Sequence, residues 1–414
     1  MKTKTMLALG VVLCSLFLVA LPAIAAAEDD YILGVYGNAN EDDTIDMRDL
    51  TYVKLIFFGE KQETELADAK YDGEINPLDF VQIKLVIVGK EKELTLVDSA
   101  DRIVTVKKPL ERMVSLSLTY IETARSLKLE TDKIVGVHHW VLSKDEVFYP
   151  EFQDHPDVGS AKTPDIEKIL SLNPDVVFAY ASSTYYDAVQ KLEDVGLRVI
   201  CFDFYDPKSY VEEVETLGYI IGKKGEADEF LKFYKGVVDS IEERTKEIPD
   251  GERPKIYFET TKLYRTCGKG TSWHNKLEMA GGNNTLSDLG RYFTVDPEEV
   301  IKRDPEIIIK FNIYESGYAV DDLAGLKDAR SELMDRPELE LVSAVQNNDV
   351  YVIAQTVLNG PSCFIGIAYL AKWFHPGLFD DLDPKAIHQE YLARFQGLDF
   401  DLDEHGVFVY PEQS

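Results

Sequence analysis

Glu167-Lys-Ile-Leu-Ser-Leu-Asn-Pro174-Asp-Val-Val-Phe178 and Glu298-Glu-Val-Ile-Lys-Arg-Asp-Pro305-Glu-Ile-Ile-Ile309 are two copies of one phrase. In each, a glutamate opens a short amphipathic helix, proline follows seven residues later where a helix should stop, and a β-branched run then reads as a buried parallel strand. The repeat, offset by 131 residues (298 minus 167), predicts two related α/β lobes. Two lobes imply a cleft, and open α/β sheets bind ligands beyond the carboxyl ends of their strands.

Around the first copy the pattern alternates. Strand signals at 112–116, 133–137, 175–180 and 198–202 are separated by helical stretches at 120–127, 167–172 and 185–195, the order of a parallel sheet flanked by helices. Residues 209–248 then read as nearly uninterrupted helix, broken only at Gly222-Lys-Lys-Gly225. Its second part, 226–248, would run about 35 Å, long enough to cross two lobes. Pro249-Asp-Gly-Glu-Arg-Pro254 ends it, and a strand at 255–259 restarts the alternation. The reading is a first lobe over 94–205, a connecting helix over 206–253 and a second lobe over 254–414.

Upstream of the lobes, 94–98 and 103–106 alternate apolar and polar residues around Ser99-Ala-Asp-Arg102, a hairpin signal. Residues 31–89 carry two twelve-residue oxygen-ligand loops, each running into an apolar-periodic helix at 50–58 or 80–88. The first places Asn38, Asn40, Asp42, Thr44, Asp46 and Asp49 at loop positions 1, 3, 5, 7, 9 and 12. The second places Asp68, Lys70, Asp72, Glu74, Asn76 and Asp79 there, with Gly73 at the sharp turn. An ammonium cannot coordinate a cation, so Lys70 predicts weaker calcium binding in loop two.

Lys2 and Lys4 precede an apolar run from Met6 to Ala27 with an Ala-rich end, the form of a secretory signal over 1–27. An uncleaved anchor is the alternative, since about 20 apolar residues span a bilayer. Past it, Cys201, Cys267 and Cys363 have neither disulfide nor zinc spacing and read as small buried hydrophobes. A net charge of −30 excludes a nucleic-acid binder of the ordinary basic type. The 414 residues also exceed what one core usually organises.

The duplicated loops resemble a type I dockerin module over about 55 residues, apart from Asn38, Asp43 in place of the turn glycine of loop one, and Lys70. That resemblance implies calcium in both loops and a cohesin-type partner for the paired helices. From about Leu94 onward, Arg112-Met-Val-Ser-Leu116, Ile134-Val-Gly-Val137, Asp157-Val-Gly-Ser160, the two glutamate phrases, the spanning helix and Glu278-Met-Ala-Gly-Gly-Asn283 stand in the order of one family. The chain resembles the substrate-binding proteins of ABC importers for iron complexes and vitamin B12. The implied fold is α/β, two Rossmann-like lobes joined by a long helix, here preceded by a small all-α calcium-loop domain. In that family one surface glutamate on each lobe meets the importer's membrane subunits, which points to Glu167 and Glu298. A symmetric pair of carboxylates suits a two-fold symmetric partner, although each alone is also an ordinary first-turn glutamate.

Cleft residues should follow strand ends in both lobes. These are Ser117, His138, His139, Trp140, Tyr180 and Tyr185 in the first, and Lys262, Tyr264, Arg265, Trp273, His274, Arg291, Tyr292 and Asn312 in the second. The resemblance places aromatic ligand contacts at Trp140, Tyr180 and Tyr292. Flat apolar faces with polar edges suit a planar macrocycle or chelate. His138, His139 and His274 are metal-capable but form no tight cluster, which favours a chelated metal with one axial histidine over a naked ion. The expected function is capture of a ferric siderophore, heme or corrinoid outside the cytoplasm for an importer, not catalysis. The alternatives are a cell-surface assembly protein acting through the calcium module and, less favoured, a metal-dependent enzyme; no Gly-x-Ser-x-Gly, His-Glu-x-x-His or Walker sequence is present.

Overall fold

The computed structural model describes residues 31–143, 146–312 and 314–412. The leader expected over 1–27 lies outside them. Among the described residues no helix is long and apolar enough to cross a membrane.

The chain begins with two helices, α1 (Met47–Phe57) and α2 (Pro77–Ile87). Both start three residues earlier than their apolar periodicity suggests, because Asp46 and Asn76 cap them. The N3 residues Asp49 and Asp79 close capping boxes back onto the cap backbone. A hairpin follows, β1 (Glu93–Val97) and β2 (Ile103–Lys107), antiparallel as the alternation requires.

The first α/β half runs β3 (Met113–Ser115), α3 (Leu118–Ser126), β4 (Ile134–Gly136), α4 (His139–Ser143), α5 (Ile166–Ser171), β5 (Val176–Tyr180), α6 (Tyr186–Asp194) and β6 (Val199–Phe202). Its four strands are parallel in the order β4-β3-β5-β6. Helices α7 (Pro207–Ile221) and α8 (Lys224–Thr245) come next, separated where Gly222 ends α7 in the left-handed conformation at φ 71°. Helix α8 packs on α3 and on two helices of the second half.

That half runs β7 (Lys255–Glu259), β8 (Arg265–Cys267), α9 (Ser272–Met279), β9 (Asn283–Asn284), β10 (Tyr292–Thr294), α10 (Pro297–Arg303) and β11 (Ile307–Asn312). It continues with α11 (Ala324–Met334), α12 (Ser343–Gln346), β12 (Val350–Ala354), α13 (Gln355–Leu358), α14 (Cys363–Phe374), α15 (Pro384–Tyr391) and β13 (Val409–Tyr410). Its parallel strands are ordered β9-β7-β11-β12, with β13 added antiparallel at the edge. Both sheets therefore share one order, second, first, third, fourth. The two glutamate helices, α5 and α10, each lead into the third strand. In each sheet the order reverses beside the first strand, and ligands collect outside such a point.

The expected boundary between residues 31–89 and the lobes is not a break in the core. Leu33, Val35, Ile45, Leu50, Val53 and Ile83 belong to one apolar cluster with Leu94 and Leu96 of the hairpin and Leu217 and Ile220 of α7. Val35 bridges Leu96, and the Val97 amide donates to the Gly34 carbonyl at 2.7 Å. The Tyr219 hydroxyl of α7 accepts from the Ile45 amide at 3.1 Å. Cys201, Cys267 and Cys363 are free and buried.

Candidate functional site

A cleft of about 990 Å³ opens between the strand ends of the two sheets. On the first side, Ser117 caps α3, accepting from the Tyr120 amide at 3.2 Å, and the Leu118 amide donates to the Tyr180 hydroxyl at 2.9 Å. Tyr180, the last residue of β5, packs against Tyr205 and Tyr185 with ring centroids 5.8 and 5.5 Å away. Beyond β4, His138 is buried and its Nδ1 accepts from the Trp140 amide at 3.0 Å. Burial, helped by the neighbouring His139, holds the His138 pKa down to about 4, so the ring is neutral at physiological pH. His139 is half-exposed, with Nδ1 3.2 Å from Asp157 Oδ2.

The cleft floor is the turn between β6 and α7. Buried Glu213 accepts from the amides of Asp203 (2.9 Å) and Phe204 (2.6 Å) and from the Ser99 hydroxyl. Burial pushes the Glu213 carboxyl up to about 7. Asp203 rises to about 6, through burial first and then the nearby Asp206 charge. Two side chains of α9 reach this turn from the other half. Lys276 Nζ donates to the Tyr205 carbonyl at 2.9 Å, and Asn275 Nδ2 donates to Asp206 Oδ1 at 2.9 Å and Oδ2 at 3.0 Å. Lys276 is fully buried, and that burial lowers its pKa.

The second wall is built on Trp273, wedged against Phe258 (5.2 Å) and Phe311 (5.1 Å), with its indole N–H donated to Asn359 Oδ1 at 3.0 Å. Tyr292 meets it edge-on at 5.7 Å. Trp140 on one wall, edge-on to His138 at 5.6 Å, and Tyr292 on the other remain 45% and 46% exposed. Arg291 and Lys162 line the cleft as exposed cations.

The structure thus brings together His138, His139, Trp140, Tyr180 and Tyr185 with Trp273, Arg291 and Tyr292. The other anticipated contacts lie elsewhere. Ser117 is spent on its helix cap. After β7 the chain turns directly into β8, which pairs with β10, so Lys262 and Tyr264 sit in that turn and Arg265 opens β8 opposite Thr294. The Tyr264 hydroxyl donates to Glu338 at 2.6 Å, and the Arg336 guanidinium lies over its ring at 4.9 Å. His274 is buried between Glu278 (3.2 Å) and Asn284 (3.3 Å). The Asn312 amide closes a turn onto the Tyr314 backbone.

Sequence reasoning passed over Tyr205, Asp206, Gln355 and Asn359, which also line the cleft. They follow the fourth strand of each sheet, and the strand-end rule applied there would have found them. The 157–163 loop, whose Asp157-Val-Gly-Ser160 counted only as a family motif, lines the cleft as well. Gly159 has φ +83°, and a Cβ there would sit 2.5 Å from the Thr163 carbonyl oxygen, so this turn requires glycine.

Residues 113–357 match the model of the periplasmic binding protein family. The chain belongs to that family. An uncharacterized ABC transporter substrate-binding lipoprotein of Bacillus subtilis, YvrC, is 27% identical over 294 residues, covering 69% of this chain and 86% of the relative. The molybdate-binding protein MolA of Haemophilus influenzae is 25% identical over 334 residues, covering 72% and 89%. The TroA-like periplasmic binding protein FepB of Veillonella parvula superposes with a TM-score of 0.64 at 25% identity, covering 76% of this chain and 98% of its own. The relatives are substrate-binding proteins of ABC transporters, and this periplasmic binding protein is a solute-binding protein of that kind.

On this binding protein's outer surface, Glu167 and Glu298 are both exposed second residues of their helices, just after the caps Asp165 and Asp296. In the first oxygen-ligand loop, Asp49 accepts from the amides of Asn40 (3.2 Å) and Asp46 (2.7 Å), and Asp42 accepts from the Thr44 amide at 3.0 Å. Burial, with Asp42 and Asp46 nearby, raises Asp49 to about 6. Asn40 Oδ1 is buried with no hydrogen-bond donor, an oxygen left over in the loop. Arg48 sits 3.0 Å from both Asp42 and Asp46 at the rim. Asn38 is committed to backbone, donating to the Leu33 carbonyl at 2.9 Å and accepting from the Asp42 amide at 3.2 Å. In loop two, Asp68 accepts from the Gly73 amide at 2.8 Å, Asp72 from Glu74, and Asp79 from Lys70 and Asn76. Among the described residues no group of three or more His, Cys, Asp or Glu side chains is placed to hold a metal ion.

Proposed function

We propose that this protein captures a metal chelate (a ferric siderophore, heme or corrinoid) outside the cytoplasm and delivers it to the membrane subunits of an ABC importer through Glu167 and Glu298. The supporting observation is the cleft itself. At about 990 Å³ it lies at the upper end of small-molecule sites, far roomier than a bare ion or a tetrahedral oxyanion needs. Exposed Trp140 and Tyr292 on opposite walls present flat faces to a flat ligand. Arg291 and Lys162 suit carboxylates or other anionic groups at its periphery.

Calcium is the second part of the proposal. Asn40, Asp42, Thr44, Asp46 and Asp49 would hold it in loop one, where the orphaned Asn40 oxygen and the raised Asp49 carboxyl both call for a cation. Asp68, Asp72, Glu74, Asn76 and Asp79 would hold it more weakly in loop two. Met47, Leu78 and Val81, exposed on α1 and α2, suit a cohesin-type partner.

The deciding experiment is tryptophan-fluorescence titration with hemin, aquocobalamin, ferric catecholate and hydroxamate siderophores, and molybdate. Two of the three tryptophans line the cleft. Saturable quenching by one chelate class is expected. A response to molybdate alone overturns the chelate reading.

A further inference from the structure

We propose that His139 Nε2 is the protein's ligand to the metal of the bound chelate, with Asp157 as the positioning residue that fixes its tautomer; the proposal rests on the chelate reading above. Three histidines were candidates, and hydrogen bonding separates them. His138 Nδ1 accepts from the Trp140 amide at 3.0 Å, so the neutral ring carries its proton on Nε2 and has no free lone pair. His274 is buried, engaged by Glu278 and Asn284, and does not line the cleft.

His139 is arranged the other way. Its Nδ1 lies 3.2 Å from Asp157 Oδ2, and a carboxylate only accepts, so the proton sits on Nδ1. In the neutral ring, the form that binds a metal, Nε2 then keeps the in-plane lone pair. The side chain is half-exposed on a residue that lines the cleft. The orienting carboxylate is itself held. Asp157 Oδ1 accepts from the Gly159 amide at 2.8 Å, while the His139 amide donates to the Gly159 carbonyl at 2.9 Å. The parallel bridge between Val137 and Asp157 locks the two segments together just before this pair. A carboxylate that fixes one imidazole nitrogen so that the other can bind a metal is the usual support of a histidine ligand.

The chemistry is ligand exchange. The Nε2 lone pair forms a metal–nitrogen bond, one metal–water bond breaks, and the water leaves to solvent with no change in oxidation state. The ligand class follows: a chelate that leaves one coordination position to water, not one that already fills every position.

The test uses the full chain with aquocobalamin and with ferric heme as probes, read by visible absorption and equilibrium dialysis. For at least one probe, the wild type should show the spectral change of water replaced by imidazole. His139→Ala should lose that change and bind at least tenfold more weakly, with added imidazole restoring the spectrum. Asp157→Asn should bind three- to tenfold more weakly with the imidazole spectrum retained. Wild-type binding with the same spectrum and affinity in His139→Ala overturns the His139 proposal and leaves the chelate reading standing. A wild type that binds neither these probes nor any ferric siderophore overturns both.

Discussion

The two α/β halves agree on the outside and differ on the inside. Helix α5 in one and α10 in the other lead into the third strand of identically ordered sheets, and each exposes a glutamate as its second residue. Inside, the first wall offers His139, Trp140 and a tyrosine cluster at strand ends. The second offers Trp273 at the start of α9 and Tyr292 on the inserted β8–β10 ribbon. The difference follows from what each surface faces. A two-fold related partner can read both outer corners alike, whereas one ligand presents a different side to each wall.

The outer likeness makes the strongest prediction. Glu167→Arg with Glu298→Arg should abolish importer-dependent uptake, with each single change causing a comparable partial loss and ligand affinity unchanged. Normal uptake by the double variant breaks the symmetry argument.

Acid should act next on the second half, at α15. His388 of α15 is fully buried, its Nε2 2.9 Å from the Tyr318 hydroxyl, and desolvation lowers its pKa to about 3. Its unfolded-state pKa is near 6.5, so below that value the unfolded chain binds the extra proton. Stability is then lost as pH falls from about 6.5 toward 3, by roughly 5 kcal/mol in total. Hydrogen exchange at pH 7 and pH 4.5 should show α15 losing protection early, and His388→Gln should flatten that dependence. An unchanged slope in the variant would remove His388 from the account.

The inner difference predicts a smaller effect. Trp140→Ala and Tyr292→Ala, one on each wall, should each weaken chelate binding at least tenfold, about 1.4 kcal/mol or more. If only one does, the ligand rests on a single wall. Arg291→Gln should weaken an anionic chelate less, and increasingly so at low salt.

Calcium gives the smallest shift. Calorimetry should show loop one tighter than loop two, and chelation should lower a single melting transition by a few degrees rather than unfold 31–89 separately, since one apolar cluster joins them to the body. Two well-separated transitions would refute that continuity.

The repeated phrase disclosed the two sheets because helix stops and β-branched runs are local signals. First-wall positions were legible for the same reason: His139 and Trp140 come directly after β4 and Tyr180 ends β5, with nothing intervening. Lys262, Tyr264 and Arg265 were placed by the same rule, yet the β8–β10 pairing and the pull of Arg336 on Tyr264 turn that segment aside. Such partners lie far apart in sequence and leave no periodic trace. The continuity of residues 31–89 with the body was hidden likewise, since the bond between Tyr219 and Ile45 spans 174 positions.

Helix α7 touches both ends of this architecture. Its cap Asp206 forms part of the cleft floor and its Tyr219 grips loop one, about 20 Å further along a single rigid rod. The amino-terminal module is therefore a mount and not a leash: whatever grips it also sets the compass bearing of the cleft mouth, and a docked molecule would face its importer at a fixed angle.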